Sequence, residues 1–209
     1  MKSEILSDLY PDSLTAIFGT KAPQTLFFAG NSSLLNKKKI GLFVSVNCPG
    51  TMIFQSYDFV SKMRSRDNIS FISGFHSPME KECLRSLSIG NAGIIWCLAK
   101  SIEAFKLPEE LELVFSDGKL LLLSSFSEKI SRITKQTALE RNKLVAAIAD
   151  EIFFSYAEPG GKTEKLCHDS LEWGKPVFTL QSQENEEIIS RGAIPIDVDN
   201  VLSYWPKDD

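Results

Sequence analysis

The chain has 209 residues, is 43% hydrophobic and carries a formal charge of −4, which excludes a disordered chain and suits one α/β domain with a sizeable core. No apolar run is long enough to span a bilayer, and the acidic start MKSEILSDLY lacks a basic-then-apolar leader, so a cytoplasmic protein with no membrane partner is expected. Nucleic-acid binders usually show a basic footprint, so this acidic chain would hold DNA through a local basic patch, with modest affinity and steep salt dependence.

Residues 1–24 read as a helical lead-in, SEILSDL then SLTAIFG, broken at Tyr10-Pro11. TLFFAGN (25–31) reads as a short strand and SLLNKKK as a turn. KIGLFVSV (39–46) is a near-continuous apolar run, the pattern of a parallel strand buried on both faces. TMIFQSYDFVSKMRSR follows as a helix, with Ile53, Tyr57, Phe59, Val60 and Met63 expected inward. ISFISGF (69–75) is the second strand, and SPMEKECLRSLSIG is a helix opened by Ser-Pro and closed by Gly90. AGIIWCLA (92–99) is the third strand, SIEAFKLPEEL a broken helical piece, and LLLLSSF (120–126) the fourth strand. TKQTALERNKLVAAIAD (134–150) is a long helix leading into EIFFSYA (151–157), the fifth strand. KTEKLCHDSLEWG is a helix, KPVFTL the sixth strand, NEEIISRG a helix and IPIDV the last strand, before NVLSYW.

Strands alternating with helices predict βαβ crossovers: an α/β, Rossmann-like, doubly wound and mostly parallel sheet with helices on both faces. Residues 1–38 are expected to flank a core spanning 39–209, within one domain. Such sheets bind ligands beyond the carboxyl ends of their strands, which singles out loops 45–50, 73–78, 98–101, 124–132 and 157–163.

In the last of these, Glu158-Pro159-Gly160-Gly161-Lys162-Thr163-Glu164 follows a strand and opens a helix. Paired glycines allow close backbone approach, helix-start N–H groups face the ligand, and Lys162 and Thr163 add a charge and a hydroxyl. On spacing alone a plain turn with Thr163 as helix cap leads, and the position at the sheet end brings a phosphate cradle level with it. Ser45-Val46-Asn47-Cys48-Pro49-Gly50 lacks GxGxxG, so a dinucleotide is disfavoured and no cofactor is expected; Ser45 would point into the crevice, with Asn47 in the turn. In Ser73-Gly74-Phe75-His76-Ser77-Pro78, Gly74 would admit a ligand and Phe75 or His76 would stack on a base, although a capping or surface histidine is the commoner case. Arg141-Asn142-Lys143, with Lys129, Arg132 and Lys135, would supply positive charge, or form a solvated helix face. Lys37, Lys38, Lys39, Lys62, Arg64 and Arg66 read as ordinary surface. Cys48, Cys83, Cys97 and Cys167 form no CxxC pair, and with only His76 and His168 beside them neither a disulfide framework nor a metal site is expected.

Several of these pieces resemble the DNA-processing protein A (DprA/Smf) family. LYPDSL before LFFAGNSSLLN is similar to its lead-in, KIGLFVS to its first core strand, ISGFHSPMEKECL to its second turn and helix, ERNKLVAAIADEIFFSYA to its Arg-Asn helix and strand, and GKPVFTL with NEEIISRGAIPI to its closing strand and helix. The resemblance implies single-stranded DNA bound in a Rossmann crevice, a homodimer, and a recombinase partner in DNA uptake. It carries roles onto Ser45, Ser73, Gly74, Arg141, Asn142 and Gly161, whereas Val46-Asn47 stands where the family places an arginine. A second resemblance is to the cytokinin-activating (LOG) phosphoribohydrolases, through Arg141 and Pro159-Gly160-Gly161 with Thr163; their catalytic glutamate would fall on Leu166 or Cys167, with Glu164 nearby. The reading is a nucleotide or single-stranded DNA binding protein rather than an enzyme. Its alternatives are a nucleoside 5′-monophosphate phosphoribohydrolase using Glu164 and Arg141, and a scaffold whose ligand site has decayed.

Overall fold

The computed structural model describes residues 2–7 and 9–206. Its elements are β1 (Glu4–Ile5), α1 (Asp12–Phe18), β2 (Phe27–Gly30), β3 (Lys38–Val44), α2 (Gly50–Met63), β4 (Ile69–Ser73), α3 (Pro78–Ser88), β5 (Gly93–Cys97), α4 (Glu112–Ser116), β6 (Leu120–Ser124), α5 (Lys135–Ile148), β7 (Glu151–Tyr156), α6 (Lys162–Glu172), β8 (Val177–Leu180), α7 (Glu186–Ser190), β9 (Ile194–Ile196) and α8 (Val201–Tyr204). The nine strands form one sheet in the order β1-β2-β6-β5-β4-β3-β7-β8-β9. β6 through β9 pair in parallel, and β1 and β2 are added antiparallel at one edge.

The continuous apolar runs are explained by two cores, one on each face. In β6, Leu120 and Leu122 point to the core under α2 and α3, while Leu121 and Leu123 point to the core under α1, α5 and α6. β3 divides likewise, with Ile40, Leu42 and Val44 on the first face and Phe43 on the second. Because strand side chains alternate, a strand covered on both faces must be apolar at every position. Phe59 of α2 stacks on Phe153 of β7 at 3.7 Å, and on the other face Phe43 stacks on Phe154 at 5.1 Å.

Four expectations are corrected. SEILSDL is not helical: Glu4 and Ile5 pair with Phe28 and Phe27, and Leu6 is buried while Ile5 is exposed, a period of two; Asp8 of this stretch lies outside the described residues. SIEAFKLPEEL forms no helix before Pro108, which disfavours helical backbone at Leu107; a short 3-10 turn at Glu109–Leu111 leads into α4 instead. In α2 the buried stripe is Met52, Ser56, Phe59, Val60 and Met63, and Ile53 and Tyr57 face outward. Ser56 belongs to that stripe because its hydroxyl bonds the Met52 carbonyl and Ser155, which a hydrophobicity pattern does not register. Finally, Arg66 is buried, not surface, and donates to the carbonyls of Leu202 and Trp205. Lys38, Lys39 and Lys62 are instead paired with Glu151, Asp150, and Asp58 with Asp199.

Candidate functional site

The sheet order reverses at β3: its chain continues to β4 on one side, while β7 lies on the other. Loops leaving the carboxyl ends of β3 and β7 therefore diverge and open a crevice. The β3–β7 register shifts between Phe43 and Val44, so an irregularity sits at the crevice end of the pair. A cleft of about 380 Å³ lies there, walled by Val46, His76, Ser77, Glu80, Ile133, Lys135, Leu139, Arg141, Asn142, Lys162 and Thr163 among others.

A buried acid and a buried base form its floor. Ser77 caps α3, its hydroxyl accepting from Glu80 N–H, while the Glu80 carboxylate accepts from Ser77 N–H, each at 3.2 Å; this is a capping box. The same carboxylate accepts from Val44 N–H at 3.1 Å and His76 N–H at 2.7 Å, pinning the end of β3 to the turn after β4. Burial pushes the Glu80 carboxyl above its ordinary value, against the opposing pull of the backbone donors and Arg141. Arg141 is 5% exposed, and burial lowers its pKa, with Glu80 and Cys97 opposing the shift. Its Nε donates to Asn142 Oδ1 at 2.7 Å and its Nη1 to the Cys97 carbonyl at 3.3 Å. Gly74 makes room for that guanidinium: a Cβ there would overlap Arg141 Cζ and Nη1.

The glycine turn forms the opposite wall. Gly160 adopts φ 71°, and its N–H donates to the Glu164 carboxylate at 2.8 Å; Gly161 N–H donates to the Glu158 carbonyl at 2.9 Å. Two of the N–H groups expected to cradle phosphate are thus already bonded. Thr163 is not the cap of α6, since Gly161 holds that position without a side-chain bond. The bond from Lys165 N–H to the Gly161 carbonyl, at 3.1 Å, opens the helix. The N–H groups of Lys162 and Thr163 lie ahead of it, at the positive end of the helix dipole. Both residues line the cleft, and Lys162 is exposed.

Other candidates serve the framework. Ser45 is buried, and its hydroxyl accepts from Glu158 N–H at 2.9 Å rather than pointing into the crevice. Asn47 Nδ2 donates to Glu158 Oε1 at 2.8 Å, so both residues hold the glycine turn against the β3 loop. Ser73 is fully buried and accepts from Phe75 N–H at 3.2 Å. Phe75 is not a stacking platform: at φ 44° its backbone turns the ring inward, where it is 1% exposed and meets Trp96 edge-on at 6.0 Å. The exposed His76 remains in the cleft wall. Lys135 lines the cleft, whereas Lys129 and Arg132 are exposed on segment 127–136 outside its walls. Leu166 and Cys167 are core residues, and Glu164 turns back to Gly160, so α6 brings no carboxylate to the cleft wall.

Sequence reasoning missed the apolar rim. Val46, Ile133 and Leu139 are 63%, 53% and 37% exposed around the opening. Their signal was available: Ile133 is an aliphatic residue in the otherwise polar run Ser131-Arg132-Ile133-Thr134-Lys135. The four cysteines are free, and burial raises all four thiols, to about 11 at Cys48 and about 12 at Cys97 and Cys167, the direction away from the nucleophilic thiolate.

The model of the DNA recombination-mediator protein A family matches residues 3–203. The chain belongs to this family. Among solved structures, DNA processing protein A from Helicobacter pylori is similar at 16% identity, covering 98% of this chain and 95% of that one, with a TM-score of 0.80. That protein is described as binding single-stranded DNA. DNA processing protein A from Streptococcus pneumoniae aligns at 17% identity over 100% of this chain and 75% of that one, also with a TM-score of 0.80. The molybdenum cofactor carrier protein of Chlamydomonas reinhardtii shares the fold more loosely, at 13% identity over 80% of this chain and 95% of that one, with a TM-score of 0.55. A search of curated proteins finds no match. Among the described residues no helix is long and apolar enough to cross a membrane.

Proposed function

We propose that this chain binds single-stranded DNA in the cleft between the carboxyl ends of β3 and β7, as a non-enzymatic DNA-processing protein. The observation that carries this reading is the pairing of two unlike surfaces in one cleft. The N–H groups of Lys162 and Thr163, with the Lys162 and Lys135 ammonium groups, suit a phosphate. The rim of Val46, Ile133 and Leu139 suits the face of an unstacked base. A duplex keeps its bases paired and stacked and cannot offer such a face, whereas a single strand can. Family membership and the single-stranded DNA binding of the Helicobacter pylori relative support the same ligand. Glu80 and Arg141 fix the floor of the cleft and are positioning residues in this scheme. The homodimer and the recombinase partner implied by the resemblance belong to the proposal as well.

The test is fluorescence anisotropy with a labelled oligo-dT strand over a salt series. Lys162→Ala and Lys135→Ala are expected to weaken binding and each to lower the slope of log affinity against log salt by about 0.7, the value for one phosphate contact on a single strand. A duplex of equal length is expected to bind more weakly. Unchanged slopes in both variants would overturn the site. Arg141→Ala is a poor probe, because removing a buried guanidinium disturbs the fold along with any binding.

A further inference from the structure

On the far side of the glycine turn, Glu164 and His168 stand one helical turn apart on α6, a spacing that places both side chains on one face. Glu187, in the first turn of α7, meets them. One carboxylate oxygen from each glutamate and one ring nitrogen of His168 all lie within 4.8 Å of one another. Among the described residues the carboxylates have one other polar contact apiece: Glu164 accepts from Gly160 N–H at 2.8 Å, and Glu187 Oε1 accepts from Arg191 Nε at 2.9 Å. Independently, His168 Nε2 is buried and has no hydrogen-bond partner among the described residues. A buried polar atom left unpaired costs about 1–3 kcal/mol, so this nitrogen is short of a partner.

We propose that Glu164, His168 and Glu187 bind a divalent transition-metal ion, with zinc the best fit, at the seam between α6 and α7. One imidazole and two carboxylates form a mixed nitrogen and oxygen donor set of the kind zinc accepts. Bonds of about 2 Å require the three donors to draw together to about 3.3 Å, which the long glutamate side chains can supply by rotamer adjustment. Glu187 is exposed, so the ion has a path in from solvent. Three protein donors leave a fourth position for water. The ion would clip α7 to α6 and offset the two carboxylate charges, of which only that of Glu187 is paired with a cation, Arg191, among the described residues. The site is separate from the cleft reading and stands or falls without it.

Isothermal titration of the metal-free full chain with zinc chloride tests this. One equivalent is expected to bind, with the melting temperature rising as zinc is added. Glu187→Gln, at an exposed position that does not threaten the fold, and His168→Gln are each expected to weaken uptake by about tenfold or more. Circular dichroism checks that both variants are folded. Cobalt substitution should give visible d–d bands without thiolate charge transfer. No uptake by the wild-type chain, equal uptake in the folded variants, or a thiolate band assigning the metal to cysteine would overturn the site.

Discussion

Gly74 and Arg141 are a matched pair. The guanidinium occupies the volume that a side chain at position 74 would fill, and it is itself buried, so it has nowhere to retreat. Gly74→Ala is therefore expected to cost about 1–3 kcal/mol through overpacking. Urea unfolding should show a lowered midpoint with an unchanged m-value. The double variant Gly74→Ala/Arg141→Ala should lose less than the sum of its single changes, because the clash exists only when both side chains are present. Additive losses would mean that the two positions do not share this space. The glycine was legible in the sequence as a special backbone position, but its purpose was misread: the group it admits is an arginine of the same chain, 67 residues away, rather than a ligand.

The start of α3 shows how an element is tied to its neighbours. Pro78 holds the first helical turn, Ser77 caps it, and Glu80 closes the box while also accepting from Val44 and His76. The Ser-Pro signal predicted the helix start. Nothing local announced the bond to Val44, because β3 reaches this point only through the parallel pairing of β3 with β4. A pH dependence follows. Burial raises the Glu80 carboxyl in the folded state above the value of about 4.3 for an unfolded glutamate, so the native state holds the proton more tightly. That contribution is fully present below the unfolded value and is lost as pH rises through the higher folded value. Glu80→Gln removes the titration, so its stability, measured by urea unfolding from acid to neutral pH, should fall less across that window than that of the wild type. Parallel curves would show that Glu80 does not titrate differently in the two states.

Across the whole molecule, the sheet's two open edges are short. β1 has two residues, and β9 has three with Pro195 at its centre, so neither offers a long ladder for another chain. The last described segment closes the face carrying α2. Trp205 is 2% exposed, its ring meets Phe59 at 5.7 Å and Phe178 at 5.0 Å, and its Nε1 donates to Glu151 at 2.5 Å. Arg66 secures this segment through the Leu202 and Trp205 carbonyls. Arg66→Ala should cost about 1.5–3 kcal/mol, the range for hydrogen bonds from a charged donor, and should red-shift tryptophan emission as Trp205 meets water. A stable variant with unshifted emission would mean that aromatic packing alone holds the segment.

Outside β1 and the stretch 101–116, the order of strands and helices was determined by the sequence alone, because apolar periodicity and Gly, Pro and Ser punctuation are local properties. Short apolar runs such as Leu120–Leu123, alternating with helical patterns, read as strands covered on both faces, and that alternation implied the doubly wound sheet and a crevice at its carboxyl ends. Which side chains reach the crevice was decided by tertiary structure. Ser45 is bound by Glu158, 113 residues away; Phe75 is turned inward by one positive φ; Glu4 and Ile5 become a strand only because Phe27 and Phe28 lie beside them. Each outcome depends on contacts between distant residues or on a single dihedral angle, and neither leaves a period in the sequence.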